Sequence, residues 1–351
     1  MRILVLGGTG AMGKPLVKIL NDAGHKVFVT SRTDRQAYEN VRFIKGNARD
    51  EAFFQQIIKD NYDVIVDFMV YKSDVFKQRI SVFLEHTDQY FFFSSCRVFA
   101  ESEEPIIETS PRLLDVIDDE EYLSTDEYAL AKAREENVLY GSSKKNWTII
   151  RPYITYNTER LQLGVYEKEN WLYRATKRRT VVMPNDIASC FTTLTSGDDV
   201  ALAIFRLIGN DKALGEPFNI STSENMSWRD ILGIYSSIFQ RVSGQELKVK
   251  YIDDSIGLQK VWNSAQIKYD RLYDRRFNNS KLLSVCENFT FRSMKDGISD
   301  ALGSFLKDPK WLSNNIVYEA WADKISNEWM KLPEFSCFYA VMRYLKYRII
   351  S

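Results

Sequence analysis

The chain begins with a short apolar run that leads directly into a loop of four glycines. Residues 2–6 read Arg-Ile-Leu-Val-Leu, and residues 7–13 read Gly-Gly-Thr-Gly-Ala-Met-Gly. An apolar run rich in branched side chains is typical of a strand buried on both faces of a parallel sheet. Apolar residues then recur with helical spacing over residues 12–23, and Gly24 supplies a stop signal. The sequence therefore predicts a strand, a tight turn and a helix in immediate succession.

The same alternation of short apolar runs and helical patterns continues through the first part of the chain. Further strands are predicted at residues 26–30, 41–44, 63–68, 89–93 and 147–150, and further helices at residues 51–60, 74–85 and 126–140. Strands that alternate with helices of about 10–15 residues predict βαβ units. The expected fold class is α/β, a doubly wound parallel sheet of Rossmann type, interrupted by an acidic surface loop at residues 101–127.

The pattern becomes less regular after Pro152. A strand or turn, a helix, a second strand and a second helix are predicted at residues 180–184, 198–208, 218–220 and 227–240. The last helix begins with Ser227, whose hydroxyl can cap the first N–H groups, and the acid Asp230 follows. We expect three parts, with some of the second returning to the first: a dinucleotide-binding domain at 1–152, a smaller α/β substrate-binding region at 153–304 and a helical tail at 305–351.

The overall composition argues against several classes of protein. Hydrophobic residues make up 45% of the chain and charged residues 27%, which is ordinary for a globular protein. The 47 basic and 47 acidic residues balance, so we expect no general attraction for nucleic acid. Four dispersed cysteines and two histidines favour a reducing cytoplasm and argue against a metal site. We also expect no transmembrane segment, because no apolar run approaches ~20 residues.

The spacing Gly7-x-x-Gly10-x-x-Gly13 between a predicted strand and a predicted helix indicates a loop that binds the pyrophosphate of a dinucleotide. Glycine lets the backbone turn tightly and approach the phosphates, and the helix presents free N–H groups to them. The alternative is a tight strand–helix turn that binds no ligand. The residues expected to hold the cofactor in this loop are Gly7, Thr9, Gly10, Ala11, Met12 and Gly13.

The end of the second predicted strand lacks the carboxylate that accepts the adenosine ribose hydroxyls in NAD-binding proteins. Ser31 and Arg32 stand there instead, and Arg35 follows. Because a guanidinium group pairs well with a 2′-phosphate, we expect NADP(H) to be favoured over NAD(H). The alternative is that Arg32 is merely solvated. The expected cofactor site also includes Asn47, whose amide can meet the adenine edge, together with Ala48, Phe68 and Met69.

Tyr128 and Lys132 form a Tyr-x-x-x-Lys pair on a predicted helix. A spacing of four residues places both side chains on one helix face, displaced by roughly 6 Å along the axis. A lysine ammonium beside a phenol stabilises the phenolate, so such a tyrosine can exchange a proton with a carbinol while hydride moves to or from nicotinamide. Ser94 and Ser95 end a buried strand at the sheet edge where doubly wound folds bind ligands. Taken alone, a Tyr-x-x-x-Lys pair is common and is more often than not an ordinary surface pair.

Together these motifs resemble the extended short-chain dehydrogenase/reductases, also called the NAD-dependent epimerase/dehydratase family. The resemblance covers about residues 1–300 and rests on four motifs in the family's order: the loop Gly7–Gly13, the Ser-Ser-x-x-Val-aromatic segment at 94–99, the Tyr128/Lys132 pair and Arg151-Pro152-Tyr153. It implies that Tyr128 is the acid/base, that Lys132 binds the nicotinamide ribose, and that Ser95 hydrogen-bonds the reacting oxygen. Tyr153 is placed beside the cofactor by the same resemblance.

The sequence also departs from the family pattern. Ile154 stands where family epimerases often carry an asparagine, and Asp67-Phe68-Met69 replaces the usual His-Leu-Ala. Asn47 stands where an acid is expected after the third strand. These departures place the chain in a divergent branch of the family and affect the substrate more than the fold.

The predicted function is that of a cytoplasmic NAD(P)-dependent oxidoreductase or isomerase that epimerises, reduces or dehydrates a nucleotide-activated sugar. A homodimer is the habit of the family. The alternative is an RNA-associated or regulatory dinucleotide-binding protein of the same fold without significant turnover. The residues expected to contact substrate are Ser95, Cys96, Arg151, Arg174 and Arg178, with Arg179 as a further candidate for the diphosphate.

The tail lies outside the resemblance. Its last stretch, Tyr339 to Ile350, mixes the cations Arg343, Lys346 and Arg348 with aromatic residues. Such a segment suits a basic amphipathic helix on a membrane surface or a partner, or a terminal helix that is simply docked on its own protein.

Overall fold

The computed structural model describes residues 1–350 of the chain. Its strands are β1 (Arg2–Leu6), β2 (Lys26–Ser31), β3 (Val41–Lys45), β4 (Tyr62–Asp67), β5 (Thr87–Phe93), β6 (Trp147–Pro152), β7 (Ile154–Tyr156), β8 (Val181–Pro184), β9 (Phe191–Thr192), β10 (Leu194–Ser196), β11 (Glu216–Ile220), β12 (Met226–Ser227) and β13 (Val249–Ile252). Its α-helices are α1 (Gly13–Asp22), α2 (Glu51–Ile58), α3 (Ser73–Glu85), α4 (Leu113–Val116), α5 (Glu120–Leu123), α6 (Tyr128–Tyr140), α7 (Trp171–Thr176), α8 (Asn185–Ser189), α9 (Gly197–Leu207), α10 (Trp228–Ser243), α11 (Ile256–Gln259), α12 (Ser264–Gln266), α13 (Ser280–Val285), α14 (Met294–Lys307), α15 (Ile316–Ser326) and α16 (Phe338–Leu345).

Seven of the strands within residues 1–350 form one parallel sheet in the order β11-β6-β5-β4-β1-β2-β3. The chain moves outward from β1 to β3 and then crosses back to β4 on the other side of β1. In such sheets the carboxyl ends of the strands at this reversal border a crevice for ligands. The predicted doubly wound parallel sheet is confirmed, and its crevice lies beside the glycine loop.

Strand β1 is buried on both faces, as its composition predicts. Ile3 and Val5 pack in a core with Leu16 of α1 and Ile204 of α9, and Leu4 and Leu6 pack in a second core on the opposite face. Successive side chains of a strand point to opposite faces, so one five-residue strand contributes to both cores. Because β1 is buried on both faces, it is held firmly in the sheet, and the position of the loop that follows it is fixed as well.

The second part of the chain forms a smaller lobe of short strand pairs and helices. The pairs are β7 with β10, β8 with β13 and β9 with β12, and α10 packs on α14. Helix α10 begins with the predicted cap, in which Ser227 and Asp230 satisfy each other's backbone N–H groups. Strand β11 and helix α9 belong to the main sheet and its cover, so the chain returns to the first part after leaving it.

The acidic segment at 101–127 was expected to be a loop but contains the two short helices α4 and α5. The Asp119 side chain caps α5 by accepting from the Tyr122 N–H group. Leu113 and Tyr122 are buried in a small core with Tyr269. Two apolar anchors and one cap are therefore enough to order a segment whose composition is mostly polar.

The helical tail is confirmed, and buried charges hold it to the second lobe. The Arg174 guanidinium lies 2.6 Å from a Glu319 carboxylate oxygen and 2.8 Å from an Asp323 oxygen, and these three side chains are fully buried. Arg179 makes a further ion pair to Glu319 at 2.7 Å. Both acids lie on α15, so this helix is locked in position by four charges that water does not reach. No helix within residues 1–350 is long and apolar enough to cross a membrane.

Candidate active site

Three glycines of the loop after β1 serve three different purposes. Gly7 has a φ of +70°, which favours glycine, and its N–H group donates to the Thr30 hydroxyl at 3.0 Å. A side chain at Gly13 would overlap the Gly8 backbone, because a Cβ atom there would lie 2.6 Å from it. A Cβ atom at Gly10 would meet no atom within 4 Å. Gly10 therefore borders open space, as the glycine that admits a pyrophosphate must.

The open space beside Gly10 is a cavity of about 420 Å³ at the carboxyl ends of β1 to β4. Its wall includes the predicted cofactor residues Gly7, Thr9, Gly10, Ser31, Arg32, Asn47, Ala48, Phe68 and Met69. Sequence reasoning missed Thr30, Gly46, Arg49 and Val70, which also line it. Thr30 carried a recognisable signal, since it is the last residue but one of a strand that ends at the cavity. These residues fit the adenosine and pyrophosphate part of a dinucleotide.

The charged residues of this cavity wall are Arg32 and Arg49, with no carboxylate among the described lining residues. Arg32 is exposed, and no hydrogen bond or ion pair of its side chain occurs within residues 1–350. Its guanidinium is therefore free to meet an anion. Arg35 differs, because its Nε donates to the Ser31 hydroxyl at 3.3 Å and its guanidinium lies over the Phe43 ring, outside the cavity wall.

Ala11, Met12 and Gly13, which were also predicted to hold the cofactor, lie outside the wall of the cavity beside Gly10. Ala11 lines a cavity of about 420 Å³ between α1 and α14, and Gly13 begins α1 with Met12 as its cap residue. The side-chain amide of Asn157 donates to the Ala11 carbonyl at 3.0 Å. This contact ties the glycine loop to the second lobe.

Ser95 and Cys96 lie just past the carboxyl end of β5 and are buried. The Ser95 hydroxyl accepts from the Arg97 N–H group at 3.2 Å, which caps a short helical turn. The Cys96 thiol donates to the Arg151 carbonyl at 3.1 Å, and burial raises its pKa well above the usual range. Ser95 is thus held in place by backbone, and Cys96 stays a protonated thiol.

Tyr128 is the first residue of α6, and Lys132 follows one turn later. The Arg97 guanidinium lies 5.3 Å from the centre of the Tyr128 ring, and the Lys132 ammonium lies 4.6 Å from the centre of the Phe92 ring. Phe92 and Arg97 flank Ser95 in sequence by three and two residues. Tyr128 and Lys132 therefore each contact a residue within three positions of Ser95, near the carboxyl end of β5.

Lys132 is buried, and its ammonium donates to a Glu135 carboxylate oxygen at 2.9 Å. A second buried acid, Asp67 at the end of β4, is within electrostatic reach of the same ammonium. Burial raises the pKa of Glu135 to about 7 and the pKa of Asp67 to about 6. Two acids thus share one lysine, and burial raises the pKa of both acids towards neutral pH.

Sequence reasoning missed this cluster and part of its surroundings. The signal for Glu135 was its spacing of three from Lys132 on one helix face. The Asp67 carboxylate accepts from the Tyr90 hydroxyl at 2.9 Å and the Met69 N–H group at 2.9 Å. At position 67, where the related family usually has a histidine, this chain has an aspartate whose carboxylate has its own hydrogen-bond partners.

A second missed group surrounds Asp270. Its carboxylate accepts from the Tyr153 hydroxyl at 3.1 Å and from Arg275 at 3.0 Å, and Arg97 lies 3.5 Å away. Burial alone would raise the pKa of Asp270, but the guanidinium groups of Arg271 and Arg275 outweigh it and hold the pKa below the usual value. Tyr153 therefore packs against this charged group, with its hydroxyl already engaged.

The arginines predicted to contact a substrate diphosphate do not converge on the site. Arg151 is buried and makes two bonds to Glu136, at 2.7 and 2.8 Å. Arg174 is neutralised by Glu319 and Asp323 of the tail, as described above, and Arg178 is exposed in a turn with a φ of 57°. The structure assigns Arg151 and Arg174 to internal ion pairs, because each guanidinium already has a buried acid beside it.

The geometry defines a doubly wound parallel sheet with a glycine loop after its first strand and a Tyr-x-x-x-Lys helix, α6. The sequence model of a protein family, described as the NmrA-like family, matches residues 1–104. The chain is 26% identical over 238 residues to the Chloroplast stem-loop binding protein of 41 kDa b of Arabidopsis thaliana, covering 63% of this chain. The match spans 58% of the length of that relative.

Solved structures extend the similarity of fold over most of the chain. A dTDP-glucose 4,6-dehydratase from Bacillus anthracis in complex with NAD superposes with a TM-score of 0.68 at 16% identity, covering 89% of this chain and 98% of the other. A UDP-glucuronic acid 4-epimerase from Bacillus cereus, in complex with UDP-glucuronic acid and NAD, gives 0.67 at 15% identity and covers 88% and 100%. The resemblance to the extended short-chain dehydrogenase/reductases is confirmed in the fold.

The different purposes of Gly10 and Gly13 predict opposite effects of the same substitution. Gly10→Ala should leave thermal stability nearly unchanged and weaken dinucleotide binding about tenfold or more, because the new methyl group enters the open space. Gly13→Ala should lower stability by roughly 1–3 kcal/mol, because its methyl group meets backbone. Thermal unfolding and calorimetric titration separate the two, and equal loss of stability in both variants would contradict this assignment.

The raised pKa values predict how stability depends on pH. Acids whose folded-state pKa is raised favour the folded state at low pH, so this contribution is lost as pH rises from about 4 to about 7. Glu135→Gln should reduce the fall in unfolding free energy between about pH 5 and about pH 8. Urea unfolding at the two pH values measures the fall, with the exposed Glu120→Gln as control. An unchanged fall in Glu135→Gln would show that Glu135 titrates normally.

Proposed function

We propose that this protein is an NAD(P)-dependent enzyme of the short-chain dehydrogenase/reductase type that epimerises, reduces or dehydrates a nucleotide-activated sugar. The observation that carries the proposal is that Tyr128 packs against Arg97 and Lys132 packs against Phe92, two residues that flank Ser95 in the sequence. A cavity bordered by Gly10 lies at the carboxyl ends of β1 to β4, in the same sheet. The second lobe would hold the sugar nucleotide. We also propose that the protein is cytoplasmic and forms a homodimer.

The residues of the chain have distinct tasks in this proposal. Tyr128 donates or accepts the proton of the reacting hydroxyl, and Ser95 hydrogen-bonds the same oxygen. Lys132 would hold the nicotinamide ribose, and Glu135 keeps its ammonium oriented. When bound, the nicotinamide supplies hydride transfer at a sugar carbon. The protein's own contribution is to position the reactants and to manage one proton.

The support for a nucleotide sugar comes from proteins of the same fold. The dehydratase and the epimerase described above carry NAD in their structures, and the epimerase also carries UDP-glucuronic acid. For the cofactor we propose NADP(H) over NAD(H), because Arg32 is unpaired in a cavity wall without carboxylates.

A second function is favoured by one observation, the similarity to a chloroplast protein named for binding stem-loops. Under this alternative the fold would bind a dinucleotide or RNA without significant turnover. The balanced charge of the chain supplies no general attraction for RNA. Turnover that depends on Tyr128 would decide for the enzyme.

Tyr128→Phe should lower turnover about 100- to 10,000-fold, because the hydroxyl alone moves the proton. Dinucleotide affinity should stay nearly unchanged, since the ring still packs under Arg97. The assay incubates UDP- and dTDP-linked sugars with NAD(P)(H) and follows products by NMR. Tyr251→Phe, at an exposed tyrosine of β13, is the matched control and should keep the wild-type rate. Turnover within threefold of wild type in Tyr128→Phe, or no turnover in wild type together with tight RNA stem-loop binding, would contradict the proposal.

Arg32→Ala should weaken NADPH binding roughly 10- to 150-fold, the value of a charge-assisted hydrogen bond, and leave NADH binding nearly unchanged. The double variant Arg32→Ala/Arg35→Ala tests whether Arg35 moves in to share the phosphate. Arg42→Ala is the control, because this arginine bonds the Glu39 carbonyl outside the cavity wall. Calorimetric titration of both nucleotides gives the ratio of their dissociation constants. An equal loss of affinity for NADH and NADPH in Arg32→Ala would overturn the assignment.

A further inference from the structure

Helix α16 carries large apolar side chains on two opposite faces. On the inner face Tyr344 is buried, and its hydroxyl donates to an Asp323 oxygen of α15 at 2.6 Å. On the outer face Phe338 is 77% exposed, Tyr339 72% and Met342 52%. Residues four apart share a helix face, so Phe338 and Met342 are neighbours. The outer face of a helix docked on a globular protein is normally polar, so this face is unusual.

The exposure of this face does not reflect a loose helix. The hydroxyl of Tyr344 also accepts from the Met330 N–H group at 3.1 Å, and the ring packs with Ala320 of α15. Helix α15 is itself locked by the ion pairs of Glu319 and Asp323 with Arg174 and Arg179. The buried charges therefore hold α16 in one orientation, with its aromatic face turned outward.

The same surface is basic. Residues 335–351 contain the cations Arg343, Lys346 and Arg348 and no acidic residue. Arg343 and Lys346 are exposed, whereas Arg348 is half-buried over the ring of Trp329, on the side of Tyr344. Aromatic and apolar side chains with basic residues on one exposed face match the chemistry of an anionic lipid surface, in which acyl chains lie beneath negative headgroups.

We propose that the outer face of α16 binds the surface of an anionic membrane. Phe338, Tyr339 and Met342 would enter the boundary between headgroups and acyl chains, while Arg343 and Lys346 would meet lipid phosphates. A second copy of the chain fits this face less well. A two-fold contact would set the cations of two identical segments against each other with no acid in either segment. This surface lies on the tail, so the proposal does not depend on the proposed function.

The test is co-sedimentation of the full chain with vesicles of phosphatidylcholine and phosphatidylglycerol, compared with phosphatidylcholine alone. Binding should require the anionic lipid and weaken as salt rises. The double variant Phe338→Ser/Met342→Ser should lower partitioning about tenfold or more. Arg343→Ser should lower it about fivefold, the effect of one cation near the surface. Ile256→Ser, which removes an isolated exposed apolar side chain elsewhere, is the matched control and should bind normally.

Three results would overturn the proposal: wild type binds neutral and anionic vesicles equally, the Phe338→Ser/Met342→Ser variant binds as well as wild type, or wild type binds neither kind of vesicle. A change from dimer to monomer in that variant, measured by analytical ultracentrifugation without lipid, would assign the face to a second copy instead. Circular dichroism confirms that the variants are folded, which is expected because the substituted side chains are exposed. Gly10→Ala should bind vesicles like wild type, so failure at the dinucleotide site and failure at this surface are distinguishable.

Discussion

The site depends on one buried carboxylate, that of Glu136 on α6. It accepts from the Ser94 hydroxyl at 2.6 Å, from Arg151 at 2.7 and 2.8 Å, and from Arg112 at 3.2 Å. These donors come from the end of β5, from β6 and from the segment between β5 and α6. A buried acid with several charged and polar donors is costly to disturb, because removing it leaves cations unpaired away from water. Glu136 therefore fixes the depth and rotation of α6, and with them the positions of Tyr128 and Lys132 relative to Ser95.

Around Glu136, the charged residues of the site form two groups, one with more acids than bases and the other with more bases than acids. Lys132 faces two acids, Glu135 and Asp67, whereas Asp270 faces the three arginines Arg97, Arg271 and Arg275. The acidic group surrounds Lys132 of α6, and the basic group includes Arg97, whose guanidinium lies over the Tyr128 ring.

The elements that the sequence predicted are those determined by local pattern. The glycine spacing, the two-sided burial of β1 and the capping pair Ser227/Asp230 are each readable within a few residues, and the structure contains all three. The arginines were misjudged because their partners are distant. Arg174 pairs with an acid 145 residues later, and no local pattern announces that contact. The pair of Lys132 and Glu135 lies between these two cases. The spacing of three residues could be read from the sequence, but the burial of both side chains could not.

The position of β11 at the edge of the main sheet has a consequence for how the chain is made. Strand β6 is buried along its whole length, and the strand that covers its edge is residues Glu216–Ile220. Helix α9, which covers Leu16 and its neighbours, also comes from the later part of the chain. While the ribosome has released only β1 to β6, the sheet has an open hydrogen-bonding edge and an uncovered apolar face, both prone to self-association. The sheet therefore gains its last edge strand only once residue 220 has emerged, although the cavity beside Gly10 is lined by residues 7–70 alone.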